Sequence, residues 1–408
     1  MLNRRSFVQS LGASAVGLLA LEEGAGTLAA AQLSGAAQNG QATATAPQAR
    51  AAMSGLIRIG SNENPYGPAL SVLEAVTSSA KEGNRYPGPV QQKLIDAIAG
   101  QFRIAADHVM LSGGSGDILN AVVRAFTSKT KALVSGLPSY EQPVRTAQAL
   151  GNLVKEVPLD ADLRLDLAAM GAKSLGAGLV YVCNPNNPTS TSVPLKDIGG
   201  LIEKVVKASP TTTILVDEAY FEYSDLPGFD TAAPYVMKYP QVIVARTFSK
   251  IHAMAGMRAG YALAQPKTIA LIRAYHSSSG MSVMTMAAAT ASLLDAANLE
   301  KNRTANRDVR RLTADAFRSA GFRVAQSDAN FVFVEIKRDS RGFQDACRQQ
   351  GVAVGRAFPP MTTWARISIG TQAEMETALP VFMKVLSAPP GTQTASYDDL
   401  DSLPSELT

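Results

Sequence analysis

Cysteine and histidine are both scarce in this 408-residue chain, which has two of the first and three of the second. Cys183 sits in an apolar strand pattern far from Cys347, so buried free thiols are expected rather than a disulfide. With only His108, His252 and His276 to offer, no metal site is expected. The body of the chain lacks any basic run, and a formal net charge of +4 leaves no electrostatic footprint for nucleic acid. The apolar stretch Leu11–Leu21 falls well short of the roughly 20 residues that cross a bilayer. No internal repeat is evident.

What is present reads as a soluble globular protein: 46% of residues are apolar and 18% charged. The length favours one large and one smaller domain. The first residues differ from the rest. Asn3-Arg4-Arg5-Ser6-Phe7 precedes the short apolar stretch, and small residues around Ala29-Ala30-Ala31 follow. A charged start, a short apolar run and an Ala-x-Ala-like site describe a signal peptide over 1–31. The Arg-Arg pair followed by Phe7 resembles a twin-arginine export signal, which carries folded proteins and implies a periplasmic location, with membrane contact only during export. No cysteine follows the small-residue site, so a lipid anchor is not supported. Residues 32–54 read as a flexible linker and 389–408 as a disordered tail.

Between these ends, short β-branched runs alternate with amphipathic stretches. Strands are expected at Val109–Leu111, Ala132–Ser135, Leu179–Cys183, Thr213–Val216, Val242–Ala245 and Gly260–Leu263. Helices are expected at Gln91–Phe102, Ile118–Phe126, Lys196–Lys207 and Val283–Arg318. This is the pattern of an α/β protein with a mainly parallel sheet covered on both faces. Phe331–Val334 and Arg366–Ile369 read as strands of a second α/β unit that closes with a helix from Ala373 to Leu386. Ligands of open α/β sheets sit beyond the carboxyl ends of the strands, so the residues just after each strand are the ones to inspect.

Ser112-Gly113-Gly114-Ser115-Gly116-Asp117 follows the first strand and opens a helix. Glycines that admit close backbone approach, free helix N–H groups and a hydroxyl make a phosphate cradle, although a plain turn has the same composition. Tyr140 follows the second strand and could lie flat on a planar ligand, or simply pack. Asn184-Pro185-Asn186-Asn187-Pro188-Thr189 follows the third, a loop whose amides could act as fixed donors. Thr213–Val216 runs straight into Asp217, a carboxylate that needs a cation or donors if buried. Val242–Ala245 leads to Thr247, Ser249 and Lys250, with Arg258 close behind. Pyridoxal phosphate asks for this set: a lysine to bind its carbonyl carbon covalently, an acid for its ring nitrogen, and a cradle for its phosphate.

On these residues the chain resembles fold-type I pyridoxal-phosphate-dependent aminotransferases of the class I/II group, most of all the histidinol-phosphate aminotransferase family. The resemblance spans about Leu56 to Leu386. Asn62-Glu63-Asn64-Pro65-Tyr66-Gly67-Pro68 resembles that family's N-terminal arm, and Arg85-Tyr86-Pro87 its dimer-crossing tyrosine. Asn184–Thr189, Asp217–Tyr220 and Thr247–Lys250 resemble its cofactor signatures; Ala329-Asn330-Phe331 and Arg366–Thr371 resemble its small-domain elements.

The resemblance implies a large domain (81–290) with a mainly parallel seven-stranded sheet flanked by helices, a small C-terminal α/β domain (291–388) and an N-terminal arm (55–80). Lys250 would carry the cofactor and act as the catalytic base. Asp217 would hold the ring nitrogen, Asn187 and Tyr220 the phenolic oxygen, and Tyr140 would stack on the ring. Ser115, the Gly116 amide, Thr247, Ser249 and Arg258 would hold the phosphate, with Tyr86 reaching it from the second subunit of a homodimer. Arg366 would clamp the substrate carboxylate, with Asn330 and Asn64 on the substrate side. The reaction implied is ping-pong transfer of an amino group from a small-molecule donor to a 2-oxo acid. Decarboxylases and lyases share the scaffold, and a cofactor-binding protein without turnover is a third reading. Ser190 departs from the family's usual glycine, and Arg356 falls one step later than its phosphate-side arginine.

Overall fold

The computed structural model describes residues 55–276 and 280–388; the expected signal, linker and tail lie outside the described residues. Three runs carry the fold. β5 (Leu179–Cys183), β6 (Thr213–Asp217) and β7 (Val242–Thr247) are buried at every position. That is why they read as unbroken apolar runs rather than as alternation. The period of two survives inside the burial: Val180, Val182, Ile214, Val216 and Val244 enter one core, while Leu179, Tyr181, Cys183, Leu215 and Ile243 enter the other.

β2 (Val109–Ser112), β3 (Leu133–Leu137), β4 (Val154–Pro158) and β8 (Gly260–Leu263) complete a seven-stranded sheet of order β2-β8-β7-β6-β5-β3-β4. Only β8 runs antiparallel to its neighbours. The carboxyl ends of β2, β3, β5, β6 and β7 therefore open on one edge, and register puts Cys183 beside Asp217 and Asp217 beside Ala245.

A second sheet, β12 (Trp364–Ser368), β10 (Phe331–Glu335) and β9 (Arg323–Val324), is antiparallel. Its own core gathers Val332, Val334, Ile367, Phe317, Phe343 and Phe382 from the sheet and the helices behind it. β1 (Ile57–Ile59) pairs in parallel with β11 (Val352–Val354), and Ile59 enters this second core. A three-residue strand with an arginine at its centre carries no periodic signal; only its distant partner defines it. Both sheets belong to one compact unit.

The helix expected over Val283–Arg318 is two, Val283–Leu294 and Ala296–Ser319. Asp295 leaves helical geometry between them. Its carboxylate accepts from Asn298 N and from Ser71 Oγ at 2.7 Å, which caps the second helix. Among the described residues no helix is long and apolar enough to cross a membrane. Cys183 and Cys347 are buried free thiols in different cores.

Candidate active site

The open edge of the large sheet forms a cavity of about 1230 Å³. Ser115, Gly116, Tyr140, Asn187, Asp217, Tyr220, Thr247, Ser249, Lys250, Arg258 and Arg366 all line it. Tyr86, Asn64 and Asn330 do not.

Asp217 ends β6 and is 2% exposed. Its Oδ2 accepts from Tyr181 Oη at 2.8 Å, and its Oδ1 from Ala219 N at 3.2 Å. Burial pushes the carboxyl up to about 6; the Tyr181 bond, the Ala219 N–H and the Lys250 charge oppose the rise. The acid thus lacks a close cation, and a protonated ring nitrogen would complete it. Lys250 is the amine whose charge acts on Asp217. Its Nζ donates to Asn62 O at 3.3 Å and lies 5.4 Å from the Tyr220 ring. Burial, then the Arg366 and Arg258 charges, pull it down to about 8. A lysine in that range is neutral often enough to act as nucleophile and base near neutrality.

The phosphate cradle is built by close packing. Gly114 holds φ at +110°, and a Cβ there would come within 2.5 Å of Arg258 Nη2. Gly260 is equally confined, because its Cβ would lie 2.6 Å from Ser115 N. Past Gly114 the helix Ser115–Phe126 begins, so its free N–H groups face the same place as the Thr247 and Ser249 hydroxyls and the Arg258 guanidinium. Thr247 Oγ1 donates to Ser249 Oγ at 3.0 Å, which gathers the two hydroxyls. This set of donors fits a phosphate, and with Lys250 and Asp217 it fits pyridoxal phosphate as a whole.

Arg366 comes from β12 of the second sheet. Its Nη1 donates to Asn187 Oδ1 at 2.8 Å and its Nη2 to Gly60 O at 2.7 Å, while its plane lies 4.7 Å from the Phe358 ring centre. Burial draws it down to about 10, so it stays cationic at neutral pH. Its Nε is buried without a partner. Tyr220 Oη accepts from Asn62 Nδ2 at 3.0 Å, and Tyr140 Oη donates to Gln142 Oε1 at 2.9 Å. Burial with the Asp217 and Glu141 charges pushes Tyr140 up to about 12.

Three expected residues do not line this chain's cavity, and one of them, Tyr86, is expected to act at the second subunit's. Asn64 spends its amide on Ile251 O at 2.9 Å and its Oδ1 on Tyr66 N, so it braces the segment after Lys250. Asn330 donates to Asn62 O at 2.9 Å and keeps Oδ1 buried without a partner. Tyr86 is 98% exposed. Sequence reasoning missed Asn62, which lines the cavity and touches Tyr220, and Tyr181, which orients Asp217. Tyr181 had a signal, since strand alternation puts it on the face of Cys183. Asn62 had none beyond its place in the N-terminal arm. Arg356 pairs with Glu141 across the cavity mouth.

An amine, a buried acid and an anion cradle at the carboxyl edge of one α/β sheet define a pyridoxal-phosphate enzyme of fold type I. The chain belongs to the aminotransferase class I and II family, whose profile matches residues 54–382. It is 31% identical to the histidinol-phosphate aminotransferase of Moorella thermoacetica over 81% of this chain and 86% of that one. It is 34% identical to the aromatic amino acid aminotransferase of Rhodococcus opacus over 80% and 89%. The histidinol-phosphate aminotransferase of Sinorhizobium meliloti, solved in complex with pyridoxal-5'-phosphate, superposes with a TM-score of 0.76 at 28% identity, covering 85% of this chain and 95% of that one. The protein is a pyridoxal-phosphate-dependent aminotransferase.

Proposed function

We propose that the chain is an exported homodimeric aminotransferase that takes an amino group from a carboxylate-bearing amino acid and gives it to a 2-oxo acid in the same site. The observation that carries this reading is the convergence of Lys250, Asp217 and Arg366, from separate strand ends and two sheets, on one cavity. Bound pyridoxal phosphate supplies an electron-accepting ring that withdraws charge from the substrate α-carbon. Asp217 would hold the ring nitrogen and favour a proton on it, and Asn187 and Tyr220 would hold the phenolic oxygen. Arg366 would hold the carboxylate through the guanidinium N–H groups that Asn187 and Gly60 leave free. Lys250 Nζ, which would hold the cofactor, is placed to take a proton from the substrate α-carbon and to return one. General acid–base help of this kind is worth roughly 10² to 10⁴ in rate.

The relatives named above act on histidinol phosphate or aromatic amino acids, and both classes belong in a donor panel with L-glutamate. Pairing of Arg356 with Glu141 favours donors without a distal phosphate, because that arginine is already neutralised. The dimer is supported by the near-complete exposure of Tyr86 and of Leu70 at 71%. Export is supported by Arg4-Arg5 and the apolar stretch after them, and the 81–290 and 291–388 divisions by the separate cores.

Borohydride reduction of the holoenzyme should fix the cofactor to the peptide carrying Lys250, and the active donor should shift the bound cofactor's absorbance. Reduced enzyme with Lys250 unlabelled ends the proposal. Sedimentation at micromolar concentration tests the dimer. Cell fractionation of wild type and the Arg4→Lys/Arg5→Lys variant tests export.

A further inference from the structure

Ser190 occupies a backbone conformation that a serine adopts at a cost. Its φ is +63°, in the left-handed region, and it is fully buried. Glycine would fill the position without strain, so the side chain must return something. Proton accounting shows what. Ser327 Oγ donates to Phe331 O at 2.6 Å, which uses its hydrogen. The 3.0 Å contact between Ser190 Oγ and Ser327 Oγ is then donated by Ser190. Ser190 Oγ also accepts from Ala329 N at 3.0 Å, and Ser190 O accepts from Asp328 N at 2.8 Å. One residue thus stitches the loop after β5 to the segment entering β10.

The first of these segments carries one half of the anion clamp, and the second leads into the strand beside the other half. The loop holds Asn187, whose Oδ1 takes Arg366 Nη1. The segment 327–330 leads into β10, and β10 pairs Phe333 with Arg366 on β12. Segment 327–330 also bears Asn330, which holds the Asn62 carbonyl beneath Lys250. The distance between Asn187 and Arg366 therefore depends on how the loop after β5 sits against the strand-entry segment, and Ser190 fixes that seat.

We infer that the Ser190 hydroxyl is a positioning device: it holds the Asn187–Arg366 clamp pre-assembled in the free enzyme, and so sets affinity for the substrate carboxylate rather than the rate of proton transfer. This rests on the reading of Arg366 as the carboxylate clamp. The alternative is that Ser190 serves folding alone.

The test compares wild-type holoenzyme with Ser190→Ala, which keeps the Cβ and removes the hydroxyl, and Ser190→Gly, which removes both. The donor is the most active L-amino acid of the panel, with its decarboxylated amine beside it. Both variants are expected to raise KM for the amino acid by about five- to twentyfold, the effect of losing two hydrogen bonds. The cofactor absorbance, kcat and the KM of the amine should stay within about twofold. Hydrogen exchange should quicken in peptides covering 184–191 and 327–331 together. Equal losses with the amine and the amino acid would overturn the proposal, as would a falling kcat at constant KM. An effect in Ser190→Gly but not Ser190→Ala would also overturn it, since backbone freedom and not the hydroxyl would then be responsible. If wild type turns over no amino acid, the aminotransferase reading fails, and the exchange experiment still judges the stitch: unchanged protection in either segment refutes it.

Discussion

Replacing Asp217 by asparagine isolates the charge at the centre of the site. Asparagine matches the shape, and its Oδ1 can accept from Ala219 N; its Nδ2 can donate to Tyr181 Oη, but the Tyr181 hydroxyl proton that Asp217 accepts then loses its partner, a cost that does not vary with pH over this range. What changes is titration. Burial holds the Asp217 carboxyl at about 6 in the cofactor-free protein, against about 3.9 in an unfolded chain. A raised carboxyl favours folding below the unfolded value, and that contribution is lost as pH climbs through the folded one. The difference of roughly two pKa units corresponds to about 3 kcal/mol. Urea unfolding of the apoprotein from pH 4 to pH 7 should therefore show wild type losing about 2 kcal/mol relative to Asp217→Asn, nearly all of it by pH 6.5. Other acids titrate equally in both proteins and cancel in the difference. With pyridoxal phosphate bound, a cation at the ring nitrogen should remove the trend and reverse the ranking, and the variant should lose roughly 10²-fold or more in kcat, the scale of removing one preorganised electrostatic partner. A wild-type minus variant difference that stays flat across that pH range would refute the claim that desolvation, uncompensated until the cofactor arrives, governs this carboxyl.

Arg366→Lys should raise KM for carboxylate substrates by about 10- to 100-fold, because an ammonium cannot hold Asn187, Gly60 O and an incoming carboxylate together; steady-state kinetics with donor and acceptor read this. Gly114→Ala should release cofactor, since its Cβ would meet Arg258 Nη2 at 2.5 Å and φ of +110° strains any side chain; equilibrium dialysis should show at least a tenfold rise in cofactor Kd. Glu218→Ala leaves the buried Arg246, whose Nη2 lies 2.8 Å from Glu218, with only its longer 3.5 Å ion-pair contact to Glu222. Loss of one partner of such a pair costs about 3–5 kcal/mol, read as a lower urea midpoint with the denaturant slope retained.

How much of this was readable beforehand follows from the kind of signal each element leaves. β5, β6 and β7 announce themselves because a strand buried on both faces is a continuous apolar run, and the polar residues that stop each run are the site. Asp217, Lys250 and Asn187 could be named for that reason. Tyr181 interrupts nothing, so only strand alternation, which puts it on the face of Cys183, hinted at its hold on Asp217. Asn64 and Asn62 sit two positions apart in one arm; which of them faces the cavity depends on β1 pairing with β11, across nearly three hundred residues.

The residue order alone determined the chemistry at the strand ends: which side chain follows which buried run, and hence an amine, an acid and an anion cradle on a common edge. Tertiary structure decided everything that needs two distant segments at once. Arg366 meets Asn187 only because the second sheet docks over the first, and Ser190 bonds to 327–329 only across the same junction. Lys250 is drawn toward neutrality only because burial and two arginines surround it. Periodicity is a local property of the chain and can be read along it. Desolvation and the meeting of charges are properties of the packed volume, and no stretch of sequence contains them.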